Sequence, residues 1–568
     1  MSFLSLPLAW WGQVALFFTI LLIAMKPLGL YMARVFEGEH TFLTPLMQPL
    51  ENALYKLGGI DPKEEMGWKT YAASVLVFSL AGALVLFLFL LYQPFPDISA
   101  DLALNIAASF VTNTNWQSYV PETTVTTASQ MIGLAVQNFL SAAVGLAILI
   151  AFIRGLARDN SKTLGNFWSD LIKGLLYLLL PFAFLFALFL ISQGVVQTFG
   201  EVSVVSPLDP TASQIIATGP VASQVAIKQL GTNGGGFFSA NAAHPFENPT
   251  PLSTFLQMLA ILLIPAASAV CFGAMTRRPH DGRALLWAMF SLLIPLAILG
   301  LMAEHQINPL LSALGVDPAL GNMEGKEMRF GVFGSTLWAS LTTATSSGST
   351  NAALDSFMPL AGLIPLLFIH FGEVVFGGIG SGLCGLFVYV FLTVFIAGLM
   401  IGRSPEYLGK KIGIFDMKMV SLIVLIPAFL TLGGAALAVM TQAGQSGTGN
   451  PAEQGFSEIL YALSSASHNN GSAFGGIHSN TPFYNILLGF CMLLGRYAVI
   501  VAFLALAGSM ATKKITPTSA GTLDTASPLF IGLLVGTIVI LSVLTFIPAL
   551  SLGPVAAHFH LMAAGGLG

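Results

Sequence analysis

Four short polar clusters interrupt a very apolar chain: Asn113-Thr114-Asn115, Thr232-Asn233-Gly234-Gly235-Gly236, Ser346-Ser347-Gly348-Ser349 and Asn469-Asn470-Gly471-Ser472. They lie roughly 115 to 125 residues apart, the pattern of a fourfold internal repeat. Backbone of this composition is tolerated at membrane depth only where protein or a water-filled path satisfies its amides and carbonyls. A cation stripped of water needs several oxygen ligands, and carbonyls on glycine-containing loops supply them in channel filters. Four such loops meeting at one axis would therefore make a cation filter. Any single cluster could be only a helix stop or a small-residue packing site; four at matching positions argue for the filter. The first cluster has no glycine, and its oxygens could come from side chains.

Charges inside apolar runs are functional candidates because placing them there is costly. Glu373 stands four residues before Gly377-Gly378-Ile379-Gly380-Ser381-Gly382, Arg496 lies near the middle of an apolar run, and Arg403 marks the end of another. The expectation is that Glu373, Arg403 and Arg496 pair or steer ions below the filter, while Gly377, Gly378, Gly380 and Gly382 form a gate. A structural ion pair between neighbouring spans is the alternative for Glu373 and Arg496, and a plain topology anchor is the alternative for Arg403. His370 has no second ligand at helical spacing and reads as a packed span residue. Phe-rich stretches read as lipid-facing surface. Cys271, Cys384 and Cys491 sit in apolar runs without metal or CxxC spacing and read as reduced core thiols.

The elements that must carry these residues follow from hydropathy. Of 568 residues 55% are hydrophobic and 8% charged, against about 25% charged in soluble domains, so the chain reads as a polytopic membrane protein. No segment has the length and charge for a soluble nucleotide-hydrolysing domain. Apolar runs able to cross a ~30 Å hydrocarbon core cover residues 14–32, 71–92, 131–152, 171–191, 255–275, 285–302, 358–401, 420–440, 483–506 and 529–550. The first of these reads as a retained span rather than a signal peptide. The 358–401 run is too long for one straight helix, and splitting it into two crossings would put later lysines on the wrong side, so it reads as one crossing broken at the glycines.

Arg34, Lys56, Lys63 and Lys69, then Arg154, Arg158 and Lys162, then Arg277, Arg278 and Arg283, then Arg403 to Lys418, then Lys513 and Lys514 all fall in alternate loops, which makes that face cytoplasmic and both termini external. The polar clusters fall in the other loops, whose basic residues are Lys228, Lys326 and Arg329. Each cluster follows a helical stretch of about ten residues, at 100–110, 221–230, 335–344 and 457–467, long enough to reach only halfway through the membrane. The expected fold is all-α, with about ten transmembrane helices in four span–pore-loop–span repeats around a pseudo-fourfold axis and one extra span at each end. The divisions are 1–70 (extra span and cytoplasmic loop), 71–162, 163–283, 284–418 with its broken second span, and 419–514 (the four repeats), and 515–568 (extra span). Half-helices entering from outside aim their negative C-terminal ends at the loops, which favours a cation.

The strings at residues 111–119, 231–238 with 244–250, and 468–474 closely resemble the potassium-binding subunit of Kdp-type potassium-importing ATPases, within the superfamily of potassium transporters. The likeness runs over essentially the whole chain and its ten-span plan. The resemblance implies a potassium-binding, channel-like subunit of an ATP-driven uptake complex in the bacterial plasma (inner) membrane. It implies K+ as the transported ion and filter positions at Asn113, Thr114, Asn115, Thr232, Asn233, Gly234, Ser346, Ser347, Gly348, Asn469, Asn470 and Gly471, with Gln117 just beyond. The implied partners are a P-type ATPase subunit, a single-span subunit and a further small subunit, in contact with membrane lipid.

No organic cofactor, nucleic acid or catalytic residue belongs to this reading. Consistent with a separate energy source, the chain has no Asp-Lys-Thr-Gly phosphorylation motif, and Gly409-Lys410-Lys411 is not a P-loop. Two rivals share parts of the pattern: a self-sufficient channel-like or symport-type potassium transporter, and an intramembrane lipid-modifying enzyme, which would need His, Asp or Glu converging at one membrane face.

Overall fold

The transmembrane helices begin where short-range capping rules start them. Thr250, Thr481 and Ser527 each precede a proline, and each hydroxyl accepts a hydrogen bond from the amide three residues on, at 3.0, 3.3 and 3.2 Å. Proline is tolerated at that first helical position because its missing N–H has no intrahelical partner there. The computed structural model describes residues 6–94, 97–200, 202–205, 214–317, 321–400, 402, 404–517 and 523–565.

Among the described residues ten helices are long and apolar enough to cross a membrane: Leu8–Glu37, Trp68–Leu91, Ser129–Ala157, Phe167–Ser192, Pro251–Met275, Pro279–Ala313, Ser381–Met400, Ile414–Met440, Pro482–Ala511 and Pro528–Ala563. They fall into two shells. The apolar windows of Ser129–Ala157 and Pro251–Met275 are 83% buried, whereas those of Trp68–Leu91 and Pro528–Ala563 are 22% and 28% buried, which places the first two inside and the others on the rim.

Four further helices carry the polar clusters at their C-terminal ends: Ala100–Val111, Val221–Leu230, Gly331–Ala344 and Ala452–His468. The last two start four and five residues earlier than their apolar stretches suggest. Pro451 caps the fourth and Glu453 sits in its first turn, so helix-start chemistry rather than hydropathy sets that boundary.

The seventh crossing is broken, as its length demands. Pro359–His370 and Ser381–Met400 are joined by an irregular segment in which Gly372, Gly377 and Gly380 take φ of +77°, +63° and +78°. Glu373 and Phe376 in the same segment take φ of +54° and +66°, a region that residues with a Cβ seldom occupy. The all-helical expectation holds for the bundle; two short antiparallel hairpins lie in connecting segments, Val202–Val205 with Gln214–Ala217 and Glu406–Tyr407 with Lys410–Lys411. All three cysteines are buried free thiols.

Candidate ion-binding site

The fourfold repeat is written into the backbone where each half-helix ends. Asn113, Thr232, Ser346 and Asn469 each turn the chain with a left-handed φ, of +65°, +51°, +53° and +61°. Left-handed non-glycine residues are uncommon, so the same turn at four corresponding positions is a built feature rather than a set of accidents. Asn115, Gly234 and Gly471 repeat the left-handed turn two residues later, at +57°, +93° and +94°. Asparagine adopts this conformation more readily than other residues with a Cβ, which explains how the first loop manages without glycine.

The four loops close into a ring by direct contact. Asn113 Nδ2 donates to the Gly231 carbonyl at 3.3 Å, and Asn233 Nδ2 donates to Asn113 Oδ1 at 2.5 Å, joining the first loop to the second. The Gly348 amide donates to the Asn233 carbonyl at 3.2 Å, joining the second to the third. A Cβ on Gly234 would overlap the Gly348 and Ser349 nitrogens, and one on Gly348 would lie 2.9 Å from the Gly471 carbonyl carbon. A Cβ on Gly471 would overlap the Thr114 carbonyl, and Asn469 Nδ2 donates to Thr114 Oγ1 at 3.0 Å, so the fourth loop returns to the first. Ser346 Oγ adds a bond to the Asn469 carbonyl at 3.0 Å. Glycine at these contacts lets backbone reach backbone, the geometry that carbonyl ligands need.

Individual side chains divide the work. Asn113 Oδ1 is taken by Asn233 and by Ser141 Oγ at 2.8 Å, so that amide holds the ring together. Asn115 is buried with both amide atoms unpartnered and lines a cavity that the four loops share. Ser347 is fixed through its carbonyl, which accepts from Thr342 Oγ1 at 2.8 Å. Asn470 Nδ2 donates to Glu373 Oε1 at 2.8 Å. Gln117 exchanges two bonds with the Gly236 backbone, accepting at 2.9 Å and donating at 3.0 Å, and so clips the first loop to the second.

Above the ring lies a vestibule of about 610 Å³ to which all four repeats contribute, through Gln117, Asn241, Thr350 and Ser479 among others. Below it the broken span supplies the floor. The Gly377 amide donates to the Ala344 carbonyl at 2.9 Å, the Ile379 amide to Thr232 Oγ1 at 2.9 Å, and a Cβ on Gly380 would overlap the Gly145 carbonyl. Gly378 faces Ser346, and Gly382 packs on Gly377. Glu373 and Arg496 line one cavity of about 140 Å³ that also touches His468 and Asn469. Among the described residues no direct salt bridge joins the two, and Glu373 instead accepts from Asn470 Nδ2 at 2.8 Å. His370 stacks on Phe546 at 3.9 Å and meets Ser464 Oγ at 2.8 Å, a packed span residue as expected. Arg403 lies outside the described residues.

One part of the site escapes sequence reasoning. Lys228, an outer-loop cation by sequence, is fully buried in the second half-helix and paired with Glu247. Its ammonium also donates to Asn241 Oδ1 at 2.6 Å, and Asn241 Nδ2 donates to the Gly234 carbonyl at 2.6 Å. Glu247 Oε1 accepts from the Phe237 and Phe238 amides at 2.7 and 3.0 Å. This network braces the second loop from behind. The available signal was a lysine inside a half-helix whose other residues are apolar or uncharged.

Half-helices that end on one closed ring, beneath a vestibule and within ten crossings, define a pore-loop membrane protein. The crystal structure of the potassium transporter TrkH from Vibrio parahaemolyticus has the same fold, with a TM-score of 0.53 over 84% of this chain and 97% of that one, at 14% identity. The family model for the potassium-transporting ATPase A subunit matches residues 15–559. A potassium-transporting ATPase potassium-binding subunit of Sorangium cellulosum is 53% identical over 97% of this chain and 98% of its own length. The subunit of the same name from Methylococcus capsulatus is 51% identical over 97% of this chain and 99% of its own. The chain belongs to the potassium-transporting ATPase A subunit family.

Proposed function

We propose that this chain is the potassium-binding, ion-translocating subunit of an ATP-driven uptake complex. The closed ring of four loops is the observation that carries the reading, since backbone from four repeats brought into contact at one place is the arrangement that replaces an ion's water. Asn113 to Asn115, Thr232 to Gly234, Ser346 to Gly348 and Asn469 to Gly471 form the filter, within four repeats divided as 71–162, 163–283, 284–418 and 419–514. The half-helices place their negative ends on it. The glycine segment and the cavity with Glu373 and Arg496 take the ion onward.

The chain binds and conducts without hydrolysing ATP. The energy enters from a separate P-type ATPase subunit, with a single-span subunit and a further small subunit completing the complex in the bacterial inner membrane, both termini of this chain outside. Uptake by a potassium-auxotrophic cell tests this: expression with the ATPase subunit restores growth on low potassium, and the chain alone does not. Accumulation without that subunit would replace this reading with the self-sufficient transporter.

A further inference from the structure

The inner helices of all four repeats converge a second time, below the ring. Phe152 stacks on Phe503 with centroids 4.1 Å apart, meets Phe387 at 5.1 Å, and Phe387 meets Phe272 at 4.8 Å. Phe152 belongs to the inner helix of the first repeat, Phe272 to the second, Phe387 to the third and Phe503 to the fourth. All four are at most 2% exposed. The loops meet in the order first, second, third, fourth, so the 5.1 Å contact between Phe152 and Phe387 joins opposite repeats.

Two independent registers give the depth. Gly145 touches the glycine segment beneath the filter, and Phe152 stands seven residues further along that helix, about 10 Å lower. Gly495 touches the Ser467 carbonyl at the end of the fourth half-helix, and Phe503 stands eight residues further, about 12 Å lower. The cavity lined by Glu373 and Arg496 reaches Phe503 among its walls. From the cytoplasmic side the hairpin Glu406–Lys411 closes the cluster. Buried Tyr407 packs 6.3 Å from Phe387, and Lys410 Nζ donates to the Gly155 and Met510 carbonyls at 2.9 and 2.8 Å and to that of Arg158, tying the inner ends of the first and fourth repeats' helices to the hairpin.

We infer that Phe152, Phe272, Phe387 and Phe503 form a dry aromatic seal across the straight route from the filter to the cytoplasm, distinct from the glycine segment above it. The inference rests on the filter reading of the four loops. An apolar constriction closed to water blocks an ion because nothing there replaces its hydration shell. Two seals then stand in series, and opening the glycine segment alone leaves the route closed.

The test compares Phe387→Leu with Phe387→Asn, side chains of nearly equal size and opposite polarity, each in the unaltered complex and in one with Gly378 and Ile379 deleted. The complexes are reconstituted in liposomes, and ATP-independent potassium flux is recorded with a potassium-sensitive dye. In the deleted background the expected result is at least tenfold greater flux through the Asn variant than through the Leu variant, which stays near background. Equal flux from the two, whether high or at background, overturns the seal. The same pair at Phe503 supplies the comparison if the Phe387 proteins do not assemble. Potassium-stimulated ATP hydrolysis by the unaltered complex is measured in parallel. Its absence would sink the filter reading, whereas equal flux alongside normal stimulation sinks the seal only.

Discussion

Lys228 shows how much a single buried charge commits the structure around it. Its pair with Glu247 is fully removed from solvent, and removing one partner of such a pair leaves an uncompensated charge, at a cost of about 3–5 kcal/mol. Replacing both by uncharged groups of similar size is far cheaper. Glu247→Gln is therefore expected to destabilise the protein by about 3–5 kcal/mol, and Lys228→Met combined with Glu247→Gln to recover most of that loss, since the Gln carbonyl still accepts from the Phe237 and Phe238 amides, measured as a double-mutant cycle in thermal unfolding. Because Asn241 links Lys228 to the Gly234 carbonyl, the double variant is also expected to lose preference for potassium over rubidium while remaining folded. A loss below about 1 kcal/mol for Glu247→Gln would mean that water reaches the ammonium.

At the level of elements, the glycines separate into those that space helices and those that merely occupy them. A Cβ on Gly145 would overlap the Ile379 carbonyl of the glycine segment, whereas nothing lies within 4 Å of the Cβ position of Gly532 in the last span. Alanine is favoured over glycine in a helix interior by up to about 1 kcal/mol, and forcing atoms into a filled site costs about 1–3 kcal/mol. Gly532→Ala is expected to leave the melting temperature unchanged or raise it. Gly145→Ala is expected to lower it and to reduce potassium-stimulated turnover, since it pushes the broken span away from the filter. Identical behaviour of the two variants would show that the glycine segment yields freely. The broken crossing itself was legible from length and charge, because 44 residues between 358 and 401 are too many for one helix and the loop lysines forbid two crossings.

For the whole molecule, the distribution of basic residues decides orientation. With three buried native cysteines, single exposed cysteines report the side on which they lie. Lys514→Cys is expected to react with a membrane-impermeant maleimide only in inside-out vesicles, and His560→Cys only in intact spheroplasts. The reverse pattern would invert the direction of every half-helix and place their negative ends on an ion arriving from the cytoplasm.

The sequence by itself determined the spans, the four half-helices, the break and the positions of the polar clusters. Each of these is set by forces acting over a few turns of chain: hydropathy over a membrane thickness, proline and hydroxyl caps, and glycine or asparagine where a helix stops. It did not determine which groups meet. Asn113 and Asn233 are 120 residues apart in sequence, and only the closed ring shows that Asn113 gives its side-chain oxygen to that contact. Lys228 reads as a loop cation until its helix is packed inward. Nothing in the sequence marks Phe152, Phe272, Phe387 and Phe503 as facing one another, because an apolar side chain satisfies hydrocarbon and protein core alike. Only the rotation of four helices about a common axis, fixed by close glycine contacts and loop bonds between distant repeats, turns these residues toward one another.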